Sequence, residues 1–230
     1  MKSIAVITAR GGSKRIPRKN VKAFCGKPIL CYSIEAALKS GCFETVMVST
    51  DDEEIAEIAK EAGAEVPFLR SEKTSGDFAT TADVLNEVIE EYEKRSVKFD
   101  ALCCIYPTAP FVTAEKLHVA MDTFEKEGAD TVMPVVAYSF PPQRSLRIQN
   151  GYLTPQYPEC MQMRSQDLEK IYHDVGQFYI VKVESFVKSG KIIGDNACPI
   201  IVSDLEVQDI DTFEDWAIAE MKYKLMMENR

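Results

Sequence analysis

Strand-like apolar runs alternate with amphipathic stretches through the first 136 residues, and that alternation leaves few folds open to the chain. Residues 4–7, 46–48, 101–105 and 131–136 are short and apolar on both faces, the pattern of buried strands. Between them, apolar residues recur at helical spacing. Leu30, Ile34, Ala37 and Leu38 mark one face; Ile55, Ile58, Ala59 and Ala62 the next; Val84, Leu85, Val88, Ile89 and Tyr92 a third; Leu117, Ala120, Met121 and Phe124 a fourth. Strands apolar on both faces must be covered on both faces. The order therefore predicts an α/β fold, a twisted, mostly parallel sheet between helical layers. A chain of 230 residues can bury such a core as one domain without disulfides.

The pattern breaks at residues 137–172. Prolines stand at positions 141, 142, 155 and 158, and an Asn150-Gly151 turn joins two short mixed segments, which predicts a β-hairpin arm. Such an excursion from a compact sheet is expected to be a dimer contact or a lid. Strand character resumes at residues 177–181 and 199–202. Thr212 with Asp215 then forms a capping-box start for a last helix whose apolar face reads Phe213, Trp216, Ala217, Met221 and Leu225. The expectation is a single domain, residues 1–230, with an arm at 137–172.

The longest apolar run, residues 101–106, is far too short to span a bilayer, and the N-terminus has no apolar signal segment, so a soluble cytoplasmic protein is expected. The seven cysteines show no Cys-x-x-Cys spacing and read as reduced, mostly buried small side chains.

Charge is distributed unevenly. Six of the 27 lysines and arginines fall within thirteen residues, Arg10-Gly-Gly-Ser-Lys14-Arg15-Ile-Pro-Arg18-Lys19-Asn20-Val-Lys22, with no acidic residue among them. Without those six, 21 basic residues face 36 acidic ones, so the remainder of the chain repels nucleic acid and anionic membranes. The loop follows a predicted buried strand, where open α/β sheets bind ligands, and its paired glycines let backbone N–H groups approach phosphate oxygens. A small polyanion such as a nucleoside triphosphate fits. The loop lacks the Gly-Lys-Ser/Thr of a Walker loop and is not Gly-x-Gly-x-x-Gly, which weighs against a P-loop kinase and a dinucleotide-dependent dehydrogenase.

Asp209-Ile210-Asp211 precedes the last helix. In extended backbone, residues two apart share a side and lie about 6.5 Å apart. Two carboxylates so placed can share a hard cation such as Mg²⁺ with a substrate phosphate, while Ile210 turns into the core; the alternative is that Asp211 merely charges a helix N-terminus. Asp51-Asp52 follows a strand, and Asp52 suits the cap of the next helix. The prolines of Tyr106-Pro-Thr-Ala-Pro110 fix a turn that could present Tyr106 and Thr108 to a ligand. Arg164-Ser-Gln-Asp-Leu168 and Tyr172-His-Asp-Val-Gly-Gln177 bring together an arginine suited to a substrate carboxylate, a glutamine and His173. A lone histidine is by default structural, and His118 has no evident function. No Ser-His-Asp or Cys-His arrangement points to a covalent intermediate, and no general base stands out.

Thr8-Ala-Arg-Gly-Gly-Ser-Lys14, Pro17 through Asn20, Val48-Ser-Thr-Asp-Asp52, Tyr106-Pro-Thr-Ala-Pro110 and Asp209-Ile-Asp-Thr212 together resemble the cytidylyltransferases that activate nine-carbon sugar acids, the CMP-sialic acid synthetase family. Phe140-Pro-Pro-Gln-Arg144, Arg164-Ser-Gln-Asp-Leu-Glu169 and Tyr172-His-Asp-Val-Gly-Gln-Phe-Tyr179 resemble the branch that uses pseudaminic acid. The resemblance implies a Rossmann-like nucleotide-diphospho-sugar-transferase fold, Mg²⁺ dependence and a homodimer whose arm embraces its neighbour. CTP and a nonulosonic acid would be the substrates, for surface-glycan or flagellin glycosylation. It further implies that Ala9, Arg10, Ser13, Lys14, Asn20, Arg70, Ala79 and Thr81 contact the nucleotide, the last two from the 77–81 loop. Arg10, Lys14 and Lys19 would neutralise departing pyrophosphate, and Asp209 and Asp211 would hold the metal. Tyr106, Thr108, Arg144, Arg164, Gln166 and His173 would face the sugar acid. Many sialic acid synthetases have glutamine where Tyr106 stands and arginine where His173 stands, which sets this chain's sugar site apart. Activation of N-acetylneuraminic, legionaminic or the eight-carbon Kdo acid remains an alternative, as does a non-catalytic nucleotide sensor or RNA-binding module using the same basic loop.

Overall fold

A computed structural model describes residues 1–228. β1 (Ser3–Thr8) runs into the basic loop, which closes through β2 (Ala23–Phe24) and β3 (Lys27–Pro28) onto α1 (Ile29–Ser40). There follow β4 (Thr45–Ser49), α2 (Glu53–Glu61), the single turn α3 (Glu72–Ser75), α4 (Thr81–Lys94), β5 (Ala101–Ile105), α5 (Ala114–Glu127) and β6 (Thr131–Ala137). The chain then leaves the sheet for an arm centred on β7 (Leu146–Gln149) and β8 (Tyr152–Pro155). It returns as β9 (Tyr172–Asp174), β10 (Phe178–Lys182), α6 (Val183–Ser189), β11 (Ala197–Ile201) and α7 (Phe213–Glu228). The boundaries follow local chemistry. Asp52 accepts the Ile55 N–H at 3.0 Å to cap α2, Thr80 and Asp83 form a capping box on α4, and left-handed glycines at 41 and 128 end α1 and α5.

The sheet order is β11-β6-β10-β5-β1-β4, with β9 also on β6. β1 pairs parallel with β4 and β5, and β11 parallel with β6, as the alternation predicts. β10, however, inserts antiparallel between β5 and β6, so the sheet is mixed. Its direction is set by the arm that delivers it and not by its own apolar pattern, which reads the same in either sense. Along β6, β10 pairs with Thr131 and Val132 and β9 with Val135–Ala137, and Gly176, at φ +60°, lies between the two strands.

Period-two alternation divides the core. Ala5, Ile7, Cys103 and Ile105 pack against Leu30, Ile34, Leu117 and Phe124, whereas Ile4, Val6, Leu102 and Cys104 pack against Leu85, Val88, Tyr92 and Phe186. A third cluster lies where α7 covers Ile16, Phe24, Ile29, Tyr32, Phe111 and Ile210. Here the sequence reading is corrected: α7 buries Trp216, Ala219 and Met226, while Phe213, Ala217, Met221 and Leu225 face outward. The helix carries two apolar stripes that share only Trp216, and Phe24 and Tyr32 select the buried one by packing edge-on against Tyr223, at 5.6 and 5.1 Å. Leu38 is likewise exposed. All seven cysteines are free, Cys103 and Cys104 buried and the other five half-buried. Among the described residues, no helix is long and apolar enough to cross a membrane.

Candidate active site

Beyond the carboxyl end of β1 lies an open cavity of about 500 Å³. Four of the six clustered basic residues, Arg10, Lys14, Arg15 and Lys19, line it. The other two do not. Arg18 turns away to clasp Asp52 and Glu54, and Lys22 lies over the Phe213 and Trp216 rings at 5.7 Å. The basic loop therefore contains its own anchor. Asp51 Oδ1 accepts the Gly11 N–H at 2.9 Å, Asp52 takes the Arg18 fork, and Asn20, buried, donates from Nδ2 to the Arg10 carbonyl at 2.8 Å. A Cβ on Gly11 would stand 2.7 Å from an Asp52 carboxylate oxygen, so only glycine lets the loop come this close. Arg18 holds the Asp52 carboxyl below its ordinary range.

The gathered cations pair with carboxylates of the same chain. Asp77 bridges Lys14 Nζ at 2.5 Å and Arg10 Nη1 at 3.0 Å, which depresses its own pKa. Asp211 Oδ1 stands 2.7 Å from Arg15 Nη2 and 3.6 Å from Lys19 Nζ, and Lys19 also donates to the Ile210 carbonyl at 2.6 Å. Arg70, nearly buried, is fixed from behind by Ser49: Nη2 donates to its carbonyl at 2.7 Å and Nε to its hydroxyl at 3.1 Å. Burial pulls the Arg70 pKa down. Ala79, Thr80 and Thr81 bring the start of α4 to the wall opposite, where Thr81 Oγ1 lies 3.4 Å from the Tyr106 hydroxyl. Ser13, Asn20, Tyr106 and Thr108 also line the cavity, and Ala9 is buried.

Ile210 turns into the core as expected, between the exposed Asp209 and the half-buried Asp211. Among the described residues, no group of three or more His, Cys, Asp or Glu side chains gathers to hold a metal. Neither aspartate is among the residues lining the cavity, but Asp211 meets its edge through Arg15 and Lys19, and a pair of carboxylates fits Mg²⁺, which uses one or two protein oxygens and leaves the rest of its shell to phosphate and water.

The remaining sequence candidates are not brought to the cavity. Arg144, Arg164 and Gln166 are exposed on the arm, Arg144 donating to the Met163 carbonyl, while His173 on β9 stacks on Tyr138 at 4.7 Å. Sequence reasoning missed three features. Asp77 bridges Arg10 and Lys14, Asp51 and Asp52 brace the loop, and Tyr179 stands behind Tyr106. The proximity of Asp51-Asp52 to a parallel strand end was a usable signal for the brace; long-range pairing supplied the other two.

Fold and cavity together define an α/β nucleotidyltransferase architecture. Its backbone superposes on a solved CMP:2-keto-3-deoxy-manno-octonic acid synthetase complexed with CTP, with a TM-score of 0.68 at 18% identity over 100% of both chains. The sequence profile of the cytidylyltransferases matches residues 4–179, and the chain belongs to that family, whose members are CTP-using nucleotidyltransferases. It is 37% identical to a pseudaminic acid cytidylyltransferase of Campylobacter jejuni subsp. jejuni serotype O:2, covering 100% of this chain and 99% of the relative. It is also 34% identical to a CMP-N,N'-diacetyllegionaminic acid synthase of Legionella pneumophila, covering 99% of each.

Proposed function

We propose that this cytidylyltransferase activates pseudaminic acid: the anomeric hydroxyl of the sugar acid attacks the α-phosphate of CTP, giving the CMP-sugar and pyrophosphate. The observation that carries the reading is the end-to-end similarity to the Campylobacter pseudaminic acid enzyme. Family membership favours catalysis over a passive nucleotide-binding module, and the eight-carbon synthetase shares the fold alone.

The cavity supports the chemistry. Displacement at phosphorus depends chiefly on positioning and charge neutralisation. Arg10, Lys14 and Lys19, which pair with Asp77 and Asp211, receive the charge that develops on departing pyrophosphate. Arg70, Asn20, Ser13 and the 79–81 backbone orient the nucleotide, and Tyr106 and Thr108 border the sugar side. Asp209 and Asp211 are the residues that would hold Mg²⁺, which would supply positive charge to the substrate phosphates and would acidify a bound hydroxyl. The protein acts as a homodimer joined through its arm, in the cytoplasm, where CTP is available.

Pyrophosphate release from CTP and Mg²⁺ with purified protein, across pseudaminic, legionaminic and N-acetylneuraminic acids, tests the substrate. A mismatched buried polar group costs about 1–3 kcal/mol, so kcat/KM is expected to favour pseudaminic acid by about tenfold or more. Equal values, or preference for another acid, would overturn the substrate and leave the family assignment standing.

A further inference from the structure

Asp209 and Asp211 sit on irregular backbone, which has no sheet ladder to hold it. A single tight helical turn, Asp204–Glu206, leads into chain without regular structure up to the start of α7. The carbonyls of such a segment need partners from elsewhere, and here side chains supply them. Lys222 Nζ, on α7, donates to the Asp204 carbonyl at 3.2 Å and to the Val207 carbonyl at 2.6 Å. The buried Gln177 donates from Nε2 to the Glu206 carbonyl at 2.6 Å, and Lys19 of the basic loop donates to the Ile210 carbonyl at 2.6 Å. The Glu206 carboxylate is itself held by Lys116 of α5 at 2.9 Å. Beyond the pair, the Asp215 carboxylate accepts the Asp211 and Thr212 N–H groups at 3.1 and 2.7 Å.

Lys222 has a distinct place in this set. Its one ammonium staples two carbonyls three residues apart, and only Gln208 separates the second of them from Asp209. Bonds from an ammonium are charge-assisted and hold firmly. The helix does not depend on Lys222 for its own seat, because Trp216, Ala219 and Met226 bury it against the core. One rigid helix thus grips the segment on both sides of the aspartates, at Val207 through Lys222 and at Asp211 through Asp215, two turns apart. Ile210, buried under the same helix, pins the middle. We propose that Lys222 is a positioning residue for the carboxylate pair: it sets where Asp209 and Asp211 stand, and thereby their affinity for a divalent cation. The proposal rests on the reading of those two aspartates as the residues that would hold Mg²⁺. Partners behind metal-ligating groups act by fixing orientation, and losing one typically costs about 10–100-fold in metal affinity or activity.

Mn²⁺ alone, titrated into the purified protein and followed by the electron paramagnetic resonance signal of the free ion, reads the pair without turnover. Lys222→Met keeps the stem and loses the donors. It is expected to weaken Mn²⁺ binding about tenfold or more and to raise the half-saturating Mg²⁺ of CMP-sugar synthesis by the same factor, with KM for CTP unchanged at saturating Mg²⁺. Lys222→Arg keeps donors and should recover most of both. Wild-type Mn²⁺ affinity in Lys222→Met would overturn the positioning role, and a lowered melting temperature beside that intact affinity would make Lys222 a purely structural residue. Where Lys222→Met impairs folding, Lys116→Met applies the same test by releasing Glu206 from α5: weakened Mn²⁺ binding supports a positioned segment, and unchanged binding overturns it. Asp211→Asn separates the two levels. If it binds Mn²⁺ as the wild type does, or the wild type binds none, the metal reading fails and the positioning role with it; loss in Asp211→Asn beside normal binding in Lys222→Met overturns the positioning role alone.

Discussion

The cavity and the arm are built on opposite economies. Around the cavity, nearly every charged group already has a partner within the same chain: Arg18 with Asp52, Arg70 with Ser49, Arg10 and Lys14 with Asp77, Arg15 with Asp211. From residue 138 to 171 only Leu168 is buried, while Phe140, Ile148, Tyr152 and Leu153 stand 88%, 78%, 76% and 67% exposed. An isolated two-stranded hairpin is at best marginally stable in water. The cavity is thus self-sufficient and preorganised, whereas the arm has apolar surface to cover and little of its own chain to cover it with.

Breaking this comparison requires changes in one region to be felt in the other. The largest effect is expected at the paired carboxylates. Asp209→Asn or Asp211→Asn should lower turnover by about a hundredfold, the scale of one lost electrostatic contact in a transition state, with the oligomeric state unchanged. Near-normal turnover of both variants at saturating CTP would remove the metal role. In the arm, Ile148→Asp with Tyr152→Ser should convert a dimer into a monomer by light scattering at micromolar concentration while CTP binding persists. A fully active wild-type monomer would show that the arm covers something other than a second copy.

Within the cavity, two substitutions should act in opposite senses. Lys14→Ala is expected to raise the KM for CTP about tenfold or more and leave the melting temperature in place, because this side chain is 78% exposed and surface ion pairs contribute little to stability. Asp77→Asn should instead tighten CTP binding severalfold, since it removes the carboxylate that competes for Arg10 and Lys14. Isothermal titration of CTP into each variant separates them. Weakened binding in Asp77→Asn would mean that Asp77 holds the cations in place for the triphosphate and does not compete with it.

Legibility in the sequence divides along the same line. Strands buried on both faces announce themselves by composition, and the helices between them by period, so the central sheet, its helical layers and the loop after β1 were all readable. The hairpin was too: Asn150 and Gly151 adopt φ +52° and +84°, the two positive values that their turn demands. What local pattern does not encode is direction and partnership. The antiparallel sense of β10, the choice of stripe on α7 and the withdrawal of Arg18 from the cavity all depend on contacts between residues tens of positions apart. Asp77 could be placed beside the nucleotide by resemblance, but its grip on Lys14 joins residues 63 positions apart, which local pattern does not encode.

The smallest effect concerns the brace beneath the loop and sharpens the claim that the cavity is self-sufficient. Arg18 lowers the Asp52 pKa from its ordinary value of 3.8, and the Ile55 N–H adds to the effect while burial opposes it. A carboxyl whose folded pKa lies below its unfolded value stabilises the fold fully above the unfolded value, and that contribution fades as pH falls through it towards the folded one. Asp52→Asn keeps the helix cap but loses the charge. Because Arg18 is partly exposed and solvent screens the pair, the expected cost is about 1 kcal/mol at pH 7. Melting curves should therefore show a gap between wild type and variant at pH 7 that narrows as pH drops below about 4. A gap that stays constant down to pH 3 would mean that Asp52 supports the loop by shape alone, and that the Arg18 ion pair contributes nothing to holding the basic loop in place.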